Sequence, residues 1–289
     1  MPGFLTGSSR EFVAGNEAEL RVFIQNIWPA PDQALIIGAD LVDYYAGVQR
    51  LLAGIFGPDA ELRLHHNAHS SHHVTCEFMS YYNNVGMIEG LLGAEREGYD
   101  VALVLCGNDP AVHGAREALR IPVVGMTESA MLTACTLGRR FGIVCMEEES
   151  LVLVEQNLER YRLEDRAISR RPVRSMDCHE DFSRWFRDPQ YLRDSITPRF
   201  EGVARSLIDD GAEVIVTACA AFSALTLSGY ARISSTEVPV IEAVHAAGHM
   251  ARTLGTMYRR YGISTSKQHT FKGIAPDLVK QFLPSSASP

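Results

Sequence analysis

VALVLCGNDPA, residues 101–111, is an unbroken apolar run that ends on a thiol and gives way to Gly, Asn, Asp and Pro. VIVTACAAFSA, residues 214–224, repeats the arrangement in the second half of the chain. A continuous Val/Ile/Leu run of this length reads as a strand buried on both faces, as in a parallel sheet. The flanking segments match too. EREGYDVALVLC is similar to LIDDGAEVIVTAC, and each is followed by an X-Pro-Val strand, a helix and a Leu-Gly step: IPVVGMTESAMLTACTLGRRFGIV in one half, VPVIEAVHAAGHMARTLGTMYRRYGIS in the other. The chain therefore carries a two-fold pseudo-repeat.

Further strands are expected at residues 20–25, 61–66, 121–126, 141–146, 167–174 and 238–243. Helical periodicity fills the gaps at 32–56, 78–97, 128–137, 148–161, 191–210 and 242–261, with Gly98, Gly138, Gly211 and Gly262 placed as C-caps. This alternation predicts an α/β fold with mainly parallel sheets. The repeat predicts two pseudo-symmetric, Rossmann-like lobes with the active site in the cleft between them. Residues 18–126 plus 242–283 are expected to form the first lobe and 127–241 the second, with flexible termini at 1–17 and 284–289.

A chain of 289 residues with 46% hydrophobic and 21% charged residues can bury a sizeable core. The net charge of −8 and the scattered basic pairs argue against a nucleic-acid partner. No apolar run approaches the ~20 residues of a membrane span, and the N-terminus lacks the pattern of a secretory signal. The expectation is a cytoplasmic protein with a small-molecule substrate, assembled as a homo-oligomer. The six cysteines form no CxxC pair, so neither a zinc ribbon nor a disulfide scaffold is expected.

Ligands of parallel α/β sheets bind at the carboxyl ends of strands. Cys106 and Cys219 both sit there, each ahead of loop or helix-start N–H groups that are expected to favour a thiolate. A lone cysteine ending a core strand is most often structural; the matched pair is what points to chemistry. Two thiols on opposite walls of a cleft can flank one carbon. One removes a proton as thiolate while the other delivers a proton to the opposite face, inverting a carbonyl-activated stereocentre.

The sequence resembles the aspartate/glutamate/hydantoin racemase superfamily, and within it the hydantoin and allantoin racemase branch. The residues that carry the resemblance are a Cys-x-x-Asp-Pro motif at Cys106, Asp109 and Pro110, an Ala-Arg-Glu at Ala115–Glu117, and Ala218, Cys219, Ala220 and Ala221 in place of a Gly-Cys-Ala-Gly motif. A strand-end Asn-Pro-Asn-Thr-Ser signature is reduced to Asn26. The resemblance implies Cys106 and Cys219 as the acid/base pair of a metal-free, cofactor-free proton transfer on a 5-substituted hydantoin or related cyclic ureide. Asn26, Asn108, Asp109, Ala220, Thr127 and Glu128 are the candidate substrate-binding residues, although Thr127 and Glu128 also fit a helix N-cap and first turn. The superfamily also holds lyases, decarboxylases and cis–trans isomerases, such as a dimethylsulfoniopropionate lyase and maleate isomerases. Together with a non-catalytic ligand-binding protein, these are the rival readings.

Three other features are read from the residues alone. The histidines at 65, 66, 69, 72 and 73 form a polar loop at the cleft mouth rather than a metal site. Glu242 is either a helix-cap carboxylate or a group that orients a ligand, and His245 packs on a helix face. Cys135 and Cys145 belong to the core, whereas Cys178 belongs to the surface.

Overall fold

The computed structural model describes residues 19–30, 41–70, 73–178 and 182–274. The expectations for both termini, for a helix over 32–40, and for His72 lie outside the described residues. Among the described residues eight strands form two sheets. In the first, β1 (Leu20–Asn26), β2 (Ala60–His65), β3 (Val101–Leu105) and β4 (Val123–Gly125) lie in the order β2-β1-β3-β4. In the second, β5 (Phe141–Cys145), β6 (Val173–Ser175), β7 (Val214–Thr217) and β8 (Val240–Ile241) lie in the order β6-β5-β7-β8. Every pair within these sheets is parallel. The expected α/β class is therefore observed, and the pseudo-repeat becomes two sheets of identical strand order.

The helices are α1 (Val42–Phe56), α2 (Glu77–Arg96), α3 (Val112–Ala118), α4 (Met126–Leu137), α5 (Leu151–Tyr161), the short α6 (Arg184–Arg187) and α7 (Pro189–Tyr191), α8 (Thr197–Asp209), α9 (Ser223–Leu227) and α10 (Ala243–Tyr261). Side-chain alternation sorts each buried strand between two layers. Val101, Leu103 and Leu105 of β3 join Phe141 and Ile143 of β5 and Val214 and Val216 of β7 in one central core, shared with α1, α4 and α10. The opposite face of the first sheet, with Ala102, Val104 and Cys106, packs under α2 and α3. The opposite face of the second sheet packs with Phe200, Ala204 and Leu207 of α8 and with Trp185. Among the described residues no helix is long and apolar enough to cross a membrane.

Some elements are shorter than their patterns imply. The strand expected over 167–174 is regular only at Val173–Ser175, with an isolated bridge from Ala167 to Phe141, because Arg171 between them turns through a positive φ of 43° ahead of Pro172. The strand expected over 238–243 is two residues long, since Glu242 already caps α10. Cys178, expected at the surface, is buried in the second sheet's outer core beside Met176 and Trp185, with its N–H bonded to Met146 O at 3.0 Å. The apolar neighbours that enclose it come from elements distant in sequence.

Candidate active site

In each sheet the strand order reverses between its first and third strands, and a crevice opens there at the carboxyl ends. The two crevices face each other. One pocket of about 230 Å³ is lined by Ile27 and Trp28 after β1, Cys106 and Asn108 after β3, Met146 and Glu147 after β5, and Cys219 and Ala220 after β7. The two cysteine loops touch. A Cβ placed on Gly107 would stand 1.8 Å from Ala218 O and 2.6 Å from its carbonyl carbon, so only glycine lets the loops close on each other. Cys106 and Cys219 thus occupy equivalent positions in the two lobes and share one pocket.

Each sulfur accepts a hydrogen bond from the backbone N–H two residues on, from Asn108 for Cys106 and from Ala221 for Cys219. These bonds favour the thiolates, yet burial outweighs them: the Cys106 thiol is pushed up to about 12, with Asp109 adding to the rise, and Cys219 is raised further. The expectation of a helix-lowered thiol pKa is thereby reversed. Cys106 does not stand at a helix start, because a loop of five residues separates it from α3; Cys219 does precede one, the 3-10 turn Ala220–Phe222 that runs on into the five-residue α9, but burial outweighs it.

The loop after Cys106 is anchored by α4 and α5. Asp109 is fully buried with a φ of 46°. Its carboxylate accepts from the N–H groups of Thr127 (3.0 Å) and Glu128 (2.8 Å) at the start of α4, and from the Tyr161 hydroxyl of α5 (3.1 Å). Gly107 O accepts from Thr127 Oγ1 at 2.6 Å and from Asn157 Nδ2 at 3.4 Å. Thr127 is therefore not the N-cap: Gly125 occupies that position, and the capping carboxylate is supplied by Asp109. Glu128 forms an ion pair with Arg116, which also donates to Val123 O. After β8, Glu242 caps α10 through the N–H groups of Val244 and His245, both at 2.9 Å, while Thr217 Oγ1 accepts from Ala243 N at 3.2 Å. Burial raises both carboxyls, Asp109 and Glu242, to about 7 against these N–H donors.

The pocket therefore gathers Cys106, Cys219, Asn108 and Ala220. Asn26, Asp109, Thr127 and Glu128 do not line it. Asn26 lies behind the wall, its Nδ2 3.0 Å from the Tyr45 hydroxyl and its buried Oδ1 without a partner among the described residues. Asn108 donates to Val74 O at 2.8 Å, tying the histidine-rich loop to the site. His73, Val74 and Thr75 line the pocket, whereas His65 bonds Gln25 and His69 pairs with Glu89. Among the described residues no group of three or more His, Cys, Asp or Glu could hold a metal ion. His245, expected to pack, is exposed, with its Nε2 3.2 Å from that of His249. Nothing in the sequence pattern signals the aromatic wall of Trp28, Tyr44 and Phe182. Its members come from a strand end, a helix and the approach to α6, and only the fold assembles them.

Residues 42–251 match the family described as Asp/Glu/Hydantoin racemase. Two relatives are named hydantoin racemase. The one from Rhizobium meliloti is 33% identical over 187 residues, covering 64% of this chain and 71% of the relative. The one from Pseudomonas sp. is 31% identical over 199 residues, covering 67% and 73%. Among solved structures, the allantoin racemase from Klebsiella pneumoniae superposes with a TM-score of 0.70 at 21% identity, covering 89% of this chain and 94% of that one.

Proposed function

The chain belongs to the Asp/Glu/hydantoin racemase family and is an isomerase of the racemase type; from that premise we propose that it racemises 5-substituted hydantoins or related cyclic ureides by proton transfer between Cys106 and Cys219. The observation that carries this reading is the placement of two thiols at equivalent strand ends, on loops in contact, in one pocket. The ring C–H, acidified by the adjacent carbonyl, gives its proton to one cysteine as thiolate. The carbon accepts a proton from the other cysteine's thiol on the opposite face, and the charge states of the two sulfurs exchange. Proton count is conserved over the cycle. Asn108 and the N–H groups after each cysteine hold the ring. Asn26, Asp109, Thr127 and Glu128 act through the loops they anchor.

The relatives named hydantoin racemase support the substrate class. The pocket supports it as well. Its wall is largely apolar, and Glu147 is an acidic group that disfavours a dicarboxylate such as aspartate or glutamate. Hydrogen exchange in D₂O, followed by NMR and polarimetry, tests the proposal on 5-benzylhydantoin, 5-isopropylhydantoin, allantoin, aspartate, glutamate and dimethylsulfoniopropionate. Deuterium entering the ring C–H of a hydantoin with loss of optical rotation is the expected result. A product of different mass, or exchange confined to the amino acids, would move the function to a lyase or an amino-acid racemase.

A further inference from the structure

Tyr44 and Tyr45 are neighbours in the first turn of α1, and the structure uses them differently. The Tyr45 hydroxyl is committed within the protein: it accepts from Asn26 Nδ2 at 3.0 Å and donates to Pro29 O at 2.9 Å. Tyr44 is equally buried, at 2% exposure, but its hydroxyl makes no hydrogen bond with any described residue. Because the ring lines the pocket, a hydroxyl with no partner among the described residues is available to a bound molecule. The ring is held by aromatic contacts, with centroids 5.1 Å from Tyr45, 5.3 Å edge-on from Phe182 and 5.8 Å edge-on from Phe186. These contacts leave the hydroxyl little freedom to turn away. The ring forms part of the pocket wall with Cys106 and Cys219, and both sulfurs and the Glu242 carboxyl lie close enough for their charges to act on the hydroxyl.

We propose that the Tyr44 hydroxyl is a catalytic hydrogen-bond donor to the substrate carbonyl oxygen that becomes negative when the adjacent C–H is deprotonated. This role rests on the racemase reading of the site. No proton moves in the step: the O–H stays with Tyr44, and its bond to oxygen shortens as enolate charge develops. The surroundings suit a donor that must remain protonated. Burial and the neighbouring acidic groups hold this phenol well above the usual tyrosine range, so it keeps its proton while the cysteines exchange theirs. Ser150 Oγ, also on the wall, is committed to Glu147 O at 2.7 Å.

The test compares wild type with Tyr44→Phe, which keeps the ring and its aromatic contacts, using 5-benzylhydantoin as the probe. The expected result is a fall in kcat of about 10- to 100-fold, with KM changed less than about threefold and the melting temperature retained. Ring-hydrogen exchange in D₂O slows by the same factor. Incorporating 3-fluorotyrosine at position 44, which preserves the shape and strengthens the donor, should keep or raise kcat. An undiminished kcat in Tyr44→Phe, or a rise confined to KM, overturns the proposal while leaving the racemase reading intact. Wild type that exchanges no hydantoin overturns both. Should Tyr44→Phe lose stability, the fluorotyrosine protein decides: a kcat unresponsive to donor strength over the pH profile would overturn the role.

Discussion

At the sulfur of Cys106 two influences compete: one N–H donor that favours the thiolate, and a buried setting that opposes it more strongly. The free site therefore holds both cysteines as thiols at neutral pH, and only a small thiolate fraction can act as base. A scarce thiolate of high pKa is a strong base, which suits the removal of a weakly acidic C–H. This scarcity sets the pH dependence. Below the thiol pKa the base form grows about tenfold per pH unit, so kcat/KM should climb between about pH 7 and 9. It should fall only where the partner thiol is lost as acid. A profile already flat from about pH 6 to 9 would show that neither thiol has the raised pKa. Replacing either cysteine with serine should lower kcat/KM by at least about 10³-fold and leave the melting temperature within a few degrees. Racemisation at the wild-type rate by Cys106→Ser would remove the two-thiol mechanism.

Between strands and helices, capping decides how the cysteine loops are held. Glu242 caps its own helix, one of the two readings the sequence left open, and the local pattern could offer it because carboxylate and N–H groups lie within three residues. Asp109 caps α4 from far along the chain, and no local pattern announces a partner at that separation; hence Thr127 looks like the cap. The long buried strands β1, β3, β5 and β7 were legible because burial on both faces forces unbroken apolar runs, whereas β6 and β8 are set by the turns beside them. Burial of Glu242 also makes stability depend on pH. Its native pKa of about 7 lies above the ordinary glutamate value of 4.5, so between these values the folded state binds more proton than the unfolded state. Stability from this group is complete below about pH 4.5 and is lost as pH rises through about 7. Relative to Glu242→Gln, wild type should therefore gain stability on acidification from about pH 7.5 to 4.5, by on the order of 1–3 kcal/mol, as read by denaturant unfolding at each pH. A pH-independent difference would mean the carboxyl is ionised throughout. The contact between loops gives a second expectation. Gly107→Ala must push Ala218 away, costing about 1–3 kcal/mol by overpacking and displacing one cysteine from the other. Activity should fall more than stability does, as measured by kcat/KM alongside thermal melting.

On the scale of the whole molecule, the two lobes bury their sheets against one central core, yet one helix face is left uncovered by the described residues. Phe78, Tyr81, Tyr82 and Val85 of α2 are 81%, 66%, 54% and 57% exposed, and their i, i+3, i+4, i+7 spacing forms a single stripe. An aromatic stripe of this kind is unusual on the free surface of a monomer. The homo-oligomer expected from the sequence is proposed here with this stripe as its contact. Charge selects a second copy as the occupant. The chain carries −8 overall, but residues 78–88 contain no charged side chain, so two stripes can meet across a two-fold axis without opposing like charges. The stripe begins just past Val74 and Thr75 of the pocket wall, so a neighbouring copy would also brace the loop tied down by Asn108. Light scattering after gel filtration should give a dimer or larger assembly for wild type and a smaller species for Tyr82→Glu. The melting temperature of the isolated fold should change little, because the side chain is exposed. Wild type that remains monomeric at tens of micromolar would leave the stripe without this role, and a Tyr82→Glu protein that assembles normally would place the contact on another face.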